Sequence, residues 1–516
     1  MDKADVLPYK DDKIPFEEAL HKTGFGLYNY LLTGLVGLST ISFVTLAYCS
    51  SIIVPTSACE LETTTAQQGL VVAVPIAGGI VGSLVWGFLG DTRGRRKMLL
   101  ASLCCGATSN ALASLSVNWV MLMVLQFCTV ALGSGIYTLS MTLLSESVPL
   151  AKRNFIMLLV SSIFLLGQGI MSVMAIPIIP LRFSHYLSAL DIYWNSWRTL
   201  QLTYSLPSLI CIVWLLFMQE SPKFILAKGD EEGALTILRR IHRINKGRRA
   251  EELQVKGLLG EAALSDENKP KAKDQIMPLF KAPYLKYTLI MASLFILFQT
   301  LVSLLVWLPT IANQFIQMMQ AGEASDFTMC EILDASGDMT VDPDAVPCSL
   351  NTIALLILLV ICSLHSIFNT LLSLIVNKTG RRNTTMVITA VCGLAGILVN
   401  LVPNAIGSAI FCVVFSMGIV VLGFYTAMSV ALFPTNLRTM AVAMTMTGGR
   451  IVSVGLIQIV NYLLVNSCSL GFYLLGALFA SSALVLALLP DDRLIFRPKP
   501  DTEASTPQEE NAEAKE

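Results

Sequence analysis

Long apolar stretches alternate with short polar ones from residue 27 to residue 489. A stretch of about 20 residues can carry an α-helix across the roughly 30 Å of hydrocarbon in a bilayer. Twelve such stretches occur, near 27–54, 68–89, 97–117, 119–145, 154–179, 199–218, 286–311, 350–376, 385–403, 406–432, 439–465 and 470–489. Helices are the expected spanning element, because backbone groups in lipid must be satisfied within the segment. Runs this long exclude the short alternating strands of a membrane barrel.

The polar connections are of two kinds. Those at 90–97, 152–153, 219–285, 377–382 and 438 are basic, whereas 55–67 and 312–349 carry acids and no Lys or Arg. Excess Lys and Arg marks cytosolic connections. With an even number of spans, both termini are then expected in the cytosol. The mixed-charge N-terminus has no apolar core, so no cleavable signal peptide is expected. Residues 1–26 and 491–516 read as cytosolic ends, the latter with the composition of a disordered tail.

Composition supports the membrane reading. The chain is 54% hydrophobic and 14% charged, where a soluble protein carries about a quarter charged residues. Its net charge of −1 and the lack of a basic domain give no sign of a nucleic-acid partner. Twelve cysteines without a CxxC and four scattered histidines predict no metal and no cofactor. A Walker loop, a nucleophile elbow and an H-E-x-x-H are all missing, which points away from an enzyme and from ATP-driven transport.

The charge in the basic turns is patterned. "GDTRGRRK" at 90–97 returns as "NKTGRR" at 377–382, so Asp91 aligns with Asn377 at an offset of 286 residues. "ESVPLAKR" at 146–153 returns as "ALFPTNLR" at 431–438, with Pro and Arg aligned at an offset of 285. The chain therefore reads as two copies of a six-helix unit, 27–218 and 286–490, joined by a linker at 219–285. Repeats of this kind mark many secondary transporters. In the linker, Ala234, Leu235, Ile237, Leu238, Ile241 and Ile244 recur at helical spacing among Arg239, Arg240, Arg243 and Arg248. That pattern predicts a basic amphipathic helix resting on the inner leaflet, with a partner-binding helix as the alternative.

G-D-x-x-G-R-R-K after the second span and its echo after the eighth resemble the major facilitator superfamily. "SWR" at 196–198, "QESPKFIL" at 219–226 and "LFPTNLR" at 432–438 are similar to segments of its sugar-porter and organic-ion-porter branch. Within that branch the chain resembles most the synaptic vesicle glycoprotein 2 and SVOP-related proteins. The resemblance implies an all-α fold of twelve transmembrane helices in two six-helix pseudo-repeats. It also implies a monomer in the bilayer that moves a small organic solute by alternating access. A non-transporting receptor or vesicle component with a carrier fold is the alternative.

Such a carrier needs an inner gate. Gly94 would permit the tight turn, and Asp91 would face the N-terminal end of the eleventh span, where the helix dipole is positive. Arg95, Arg96 and Arg153 would pair with Glu146 and Glu220. The second copy keeps Arg381, Arg382 and Arg438, but has Asn377 and Ala431 where the first has Asp91 and Glu146.

Polar residues inside spans are candidates for the solute site. These are Gln168, Gln299, His365, Asn369, Gln458, Asn461 and, above all, Arg450. Arg450 lies about eleven residues, or roughly 16 Å, inside its span. No Asp or Glu within a span stands out as its partner. An anionic solute is the first reading and a neutral polyol or sugar the second. Cys330 and Cys348 share the acidic loop 312–349 and are expected to form a disulfide there, with Cys59 on the same side as a competing partner.

Overall fold

The computed structural model describes residues 13–247, 253, 255, 257–259, 277–322, 326–337, 350–433 and 435–490. Within these, the chain forms twelve spans. Span 1 comprises Leu27–Ala47 and Ser50–Ser57, span 2 Thr65–Arg93 and span 3 Arg95–Ala113. Span 4 is Trp119–Gly133 with Gly135–Ser147, span 5 Leu150–Ala175, and span 6 Ser196–Thr203 with Leu206–Leu215. The second half repeats the series as span 7 (Tyr284–Leu305), span 8 (Thr352–Thr379) and span 9 (Arg381–Leu398). Span 10 is Ala405–Ser416 with Val421–Leu432, span 11 Thr435–Asn466 and span 12 Cys468–Ala487.

Nine of these helices, among the described residues, are long and apolar enough to cross a membrane unaided. Spans 3, 6 and 9 fall short for identifiable reasons. Spans 3 and 9 open on Arg95-Arg96-Lys97 and Arg381-Arg382-Asn383, and span 6 breaks at Tyr204–Ser205. They occupy their places by packing: span 3 against span 4, span 6 against spans 1 and 3, and span 9 against span 12. Large side chains such as Phe88, Phe217, Leu374 and Leu484 stay exposed on the outside of the bundle, as a lipid-facing surface requires.

Helices from the two halves meet in several places, Ser50–Ser57 touching Leu308–Ala321 among them. Span 5 packs on span 8, and span 2 on span 11. Between spans 5 and 8, Asn369 Nδ2 donates to Ser162 Oγ at 3.2 Å, and the Ser162 and Thr370 hydroxyls are 3.2 Å apart. Spans 1 and 7 are each interrupted where they approach the middle of the molecule. Span 1 breaks at Tyr48–Cys49, and span 7 at Val306–Trp307 before continuing as Leu308–Ala321. Part of the expected outer loop is thus helical, as is Met329–Gly337.

The linker helix Glu231–Lys246 is amphipathic as expected, but its apolar side does not rest on lipid. Ala234, Leu235 and Leu238 are buried with Phe16, Ala19, Leu20, Leu226, Leu253, Val255 and Leu258. The N-terminal segment covers them. Lys13–Pro15 pairs in parallel with Gly257–Leu259, and the helix Phe16–Lys22 supplies the rest of the cover. Lys13 Nζ lies 2.7 Å from Glu231 Oε2, and this hydrogen bond holds the Glu231 carboxyl below its ordinary range. Asn245 accepts from Tyr28 N–H at 3.0 Å and donates to Asn29 Oδ1 at 2.8 Å, fixing the linker helix to the start of span 1.

The expected Cys330–Cys348 disulfide is corrected. Cys330 is bonded to Cys468 at the start of span 12, 138 residues away; Cys348 lies outside the described residues. Cys59 is also disulfide-bonded. Sharing a loop was the basis for the first pairing, but Met329–Gly337 folds back onto spans 11 and 12. Cys330 N–H also donates to Asn400 Oδ1 after span 9, and Asn400 Nδ2 donates to Ser469 beside Cys468. Non-reducing peptide mapping is expected to recover the Cys330 and Cys468 peptides as one linked species. A loop this long would stabilise by about 5 kcal/mol in the chain-entropy model, so Cys468→Ala is expected to lower the melting temperature.

Candidate functional site

Where the two halves face each other lies a cavity of about 90 Å³. Tyr48 and Ser51 line it from span 1, Phe164 and Gln168 from span 5, and Cys362 and His365 from span 8. The helix breaks in spans 1 and 7 sit in its wall, with Tyr48 on one side and Val306 and Leu308 on the other. From the first half, Tyr48 and Phe164 bring rings to the wall, and further rings pack behind them. The Phe164 centroid is 5.5 Å from that of Tyr137, and Phe43 lies 5.7 Å from Tyr137. Tyr48 meets Phe164 edge-on at 6.5 Å. These aromatic residues were not singled out by the sequence, because rings in apolar helices carry no spacing signal of a site.

Of the polar candidates, Gln168 and His365 line this cavity. His365 Nε2 is also 2.9 Å from Ser416 Oγ of span 10, so it joins two helices. Gln299 is buried in span 7 and is not among the cavity's lining residues. Asn369 is engaged with Ser162 as described. Gln458 and Asn461 lie elsewhere, at the end of span 11 nearest the acidic loops. Asn461 Nδ2 donates to Thr65 O at 2.7 Å, and Gln458 Nε2 to Ala66 O at 3.1 Å.

Arg450 shares a helix face with Asn461. Eleven residues is about three turns, and Asn461 points at the first half. The Arg450 side chain is exposed and makes no hydrogen bond or ion pair with the described residues. Gly448, two residues before it, has open space where a side chain would stand.

At the basic face, Gly94 has φ +109° and ψ +146°, a backbone that side-chain-bearing residues resist. A Cβ there would also lie 2.7 Å from Glu220 Oε2. Arg95 lies 3.1 Å from Glu146 and 3.1 Å from Asp91, and its guanidinium rests on the Phe224 ring at 4.8 Å. Ser221 Oγ also donates to Glu146. Glu220 accepts from the backbone N–H of Arg96 at 2.8 Å. The Arg96 side chain caps the end of span 6 instead, donating to Leu215 O and Leu216 O at 3.1 and 2.9 Å. The second repeat preserves this cap: Arg382 donates to Leu486 O and Ala487 O at 3.2 and 2.9 Å. Arg381 reaches Ala427 O at 3.4 Å, and Gly380 has φ +82° and ψ +146°. The side chains of Asn377 and Arg438 lie outside what is described.

Two expected pairings differ. Arg153 reaches neither Glu146 nor Glu220; it binds Glu17 of the N-terminal segment at 3.0 Å. Glu17 lies 136 positions away, and a contact at that separation leaves no local pattern. Asp91 is 77% exposed and is paired with Arg95 one turn away, whereas Glu146 is 14% exposed. Exposed pairs contribute about 0.2–1 kcal/mol, and half-buried networks more. Asp91→Asn is therefore expected to change little, and Glu146→Gln to loosen spans 3, 4 and the linker start together. Protease sensitivity or hydrogen exchange at residues 90–97 and 219–228 measures this.

The "SWR" segment forms a second ionic cluster at the opposite face. Arg198 is 1% exposed and pairs with Glu60 at 2.6 Å. Its remaining donors reach Tyr193 O, Ser114 O and Ser116 O at 3.0, 2.8 and 2.9 Å. Trp197 Nε1 donates to Glu60 at 2.6 Å, as does Asn195 Nδ2. One buried guanidinium thus ties three connections of the first half together.

Comparison with known proteins agrees with this architecture. A 272-residue segment is 26% identical to the synaptic vesicle 2-related protein of Xenopus laevis, covering 52% of this chain and 46% of that protein. Over 230 residues the chain is 25% identical to organic cation/carnitine transporter 7 of Arabidopsis thaliana, covering 45% and 43%. Over 233 residues it is 25% identical to human synaptic vesicle glycoprotein 2B, covering 45% and 34%. The match thus spans less than half the length of each of these relatives. Among solved structures, the xylose transporter XylE from E. coli in a partially occluded inward-open conformation superposes with a TM-score of 0.63 at 16% identity. That match covers 90% of this chain and 100% of XylE, and it shows the shared fold. The Major Facilitator Superfamily model matches residues 36–456. With its twelve spans, its repeated basic turns and this match over most of its length, the chain is a multi-pass membrane protein of the major facilitator superfamily.

Proposed function

We propose that the protein is a secondary, alternating-access transporter of a small organic anion, with the solute held between the halves at Arg450. The observation that carries this reading is Arg450 itself, a charge well inside a span that none of the described residues neutralises. Such a charge is expensive in the membrane, on the order of 3 kcal/mol even on insertion scales. An anionic group on a solute would balance it. The rings of Tyr48 and Phe164 suit an apolar solute body, and Gln168 and His365 supply hydrogen-bonding groups.

The basic turns and both termini are placed in the cytosol, following the distribution of Lys and Arg. The membrane is the plasma membrane or, as the synaptic vesicle relatives suggest, a vesicle. The chain works as a monomer without a cofactor and without catalytic chemistry. Uptake of labelled organic anions into proteoliposomes containing the purified full chain tests the proposal. Concentration-dependent uptake above protein-free liposomes is expected. A folded protein that carries neither anions nor neutral polyols overturns it. The alternative, a receptor or vesicle component with a carrier fold, draws on Asn377 and Ala431, which leave the second repeat without the acids of the first.

A further inference from the structure

Gln458 and Asn461 belong to the second half, and the carbonyls they bind belong to the first residues of span 2. Both amides donate across the boundary between the halves. The two accepting carbonyls are the first exposed turn of span 2, and a carbonyl can accept a second hydrogen bond besides its helical one. One turn further along is Gly69, which is buried. A methyl group on Gly69 would fall inside the Gln458 carboxamide and lie 2.8 Å from Asn461 Nδ2. Its φ is unremarkable, so space is the reason for glycine here. Asn461 is 6% exposed, so its amide is seated, while Gln458 beside it is partly exposed.

We infer that Gln458 and Asn461, seated over Gly69, form a latch that closes the outer side of the central cavity and must release each time that side opens. Three features converge on one spot: two donors from one half, two acceptors from the other, and a missing side chain that lets them meet. The bonds are side chain to backbone, so the latch holds whatever side chains stand at Thr65 and Ala66. Being uncharged, it can break and reform without burying an unpaired ion. Its position three turns from Arg450 on the same face of span 11 couples it to the solute. A rotation of span 11 that moves Arg450 moves the amides too.

The inference rests on the alternating-access reading but not on the identity of the solute, and its test needs no solute. Spin labels at L181C and L470C would sit at exposed positions in different halves, away from the latch. Cys104, Cys105 and Cys128 would be replaced by Ala in the same chain. Distances between the labels in liposomes report how far the outer side is open. In Q458A/N461A, and separately in G69A, the open fraction is expected to rise about tenfold relative to the parent. If one variant fails to fold, the other decides the matter. Distance distributions matching the parent's in the folded variants overturn the latch. Uptake by the parent, measured in parallel, keeps the two questions separate: a transporting parent with unmoved variants sinks the latch alone.

Discussion

Arg450→Gln is expected to weaken transport of an organic anion by about ten- to a hundred-fold in apparent affinity. The size follows from a hydrogen bond to a charged group, worth about 1.5–3 kcal/mol, with about 1.4 kcal/mol per factor of ten. Arg450→Lys keeps the charge but loses the planar fork that grips a carboxylate with two parallel bonds, and an intermediate loss is expected. Uptake of a neutral solute, if carried, should change little in either variant. The measurement is concentration-dependent uptake in proteoliposomes, with insertion and folding checked by thermal unfolding. If both variants carry the anion with unchanged affinity, Arg450 is a structural strut and the anion reading falls.

Glu60→Ala is expected to have the largest effect on stability. Arg198 is 1% exposed and Glu60 25% exposed. Removing one partner of a buried pair leaves a charge with no counter-ion and costs about 3–5 kcal/mol. The lower end applies here, because three backbone carbonyls still hold the guanidinium. Trp197 and Asn195 lose their acceptor in the same step. A fall of several degrees in melting temperature, followed by tryptophan fluorescence in detergent, is expected. The double variant Glu60→Leu with Arg198→Met should recover part of the loss, since no charge is then left buried. A melting temperature unchanged by Glu60→Ala would show that the cluster is not what ties the connections together.

Much of this protein can be read without coordinates. Hydrophobic length determines how many times the chain crosses a bilayer, because lipid leaves the backbone no partner but its own helix. The repeated Gly-Arg-Arg turn is equally legible. Its glycine answers a backbone demand, and its second arginine caps the carbonyls at the end of the sixth span of its own half. The glycine's need is local and the arginine's cap lies 119 and 104 residues further on, but both are met alike in the two halves, so they appear twice in the sequence at one offset.

Partners brought together from distant parts of the chain were decided only by the tertiary structure. Cys330 meets Cys468 because a short helix folds back over the ends of spans 11 and 12. Arg153 meets Glu17 because the N-terminal segment, drawn in by the apolar face of the linker helix, lies beneath span 5. Gln458 and Asn461 looked like solute ligands because they are polar residues in a span. Packing of span 11 against span 2 set them against Ala66 O and Thr65 O, with Gly69 leaving the room. Polarity within a span shows that a group needs a partner; whether that partner is solute, backbone or another side chain depends on helix rotation and on which half lies opposite, and neither is written into the spacing along one helix.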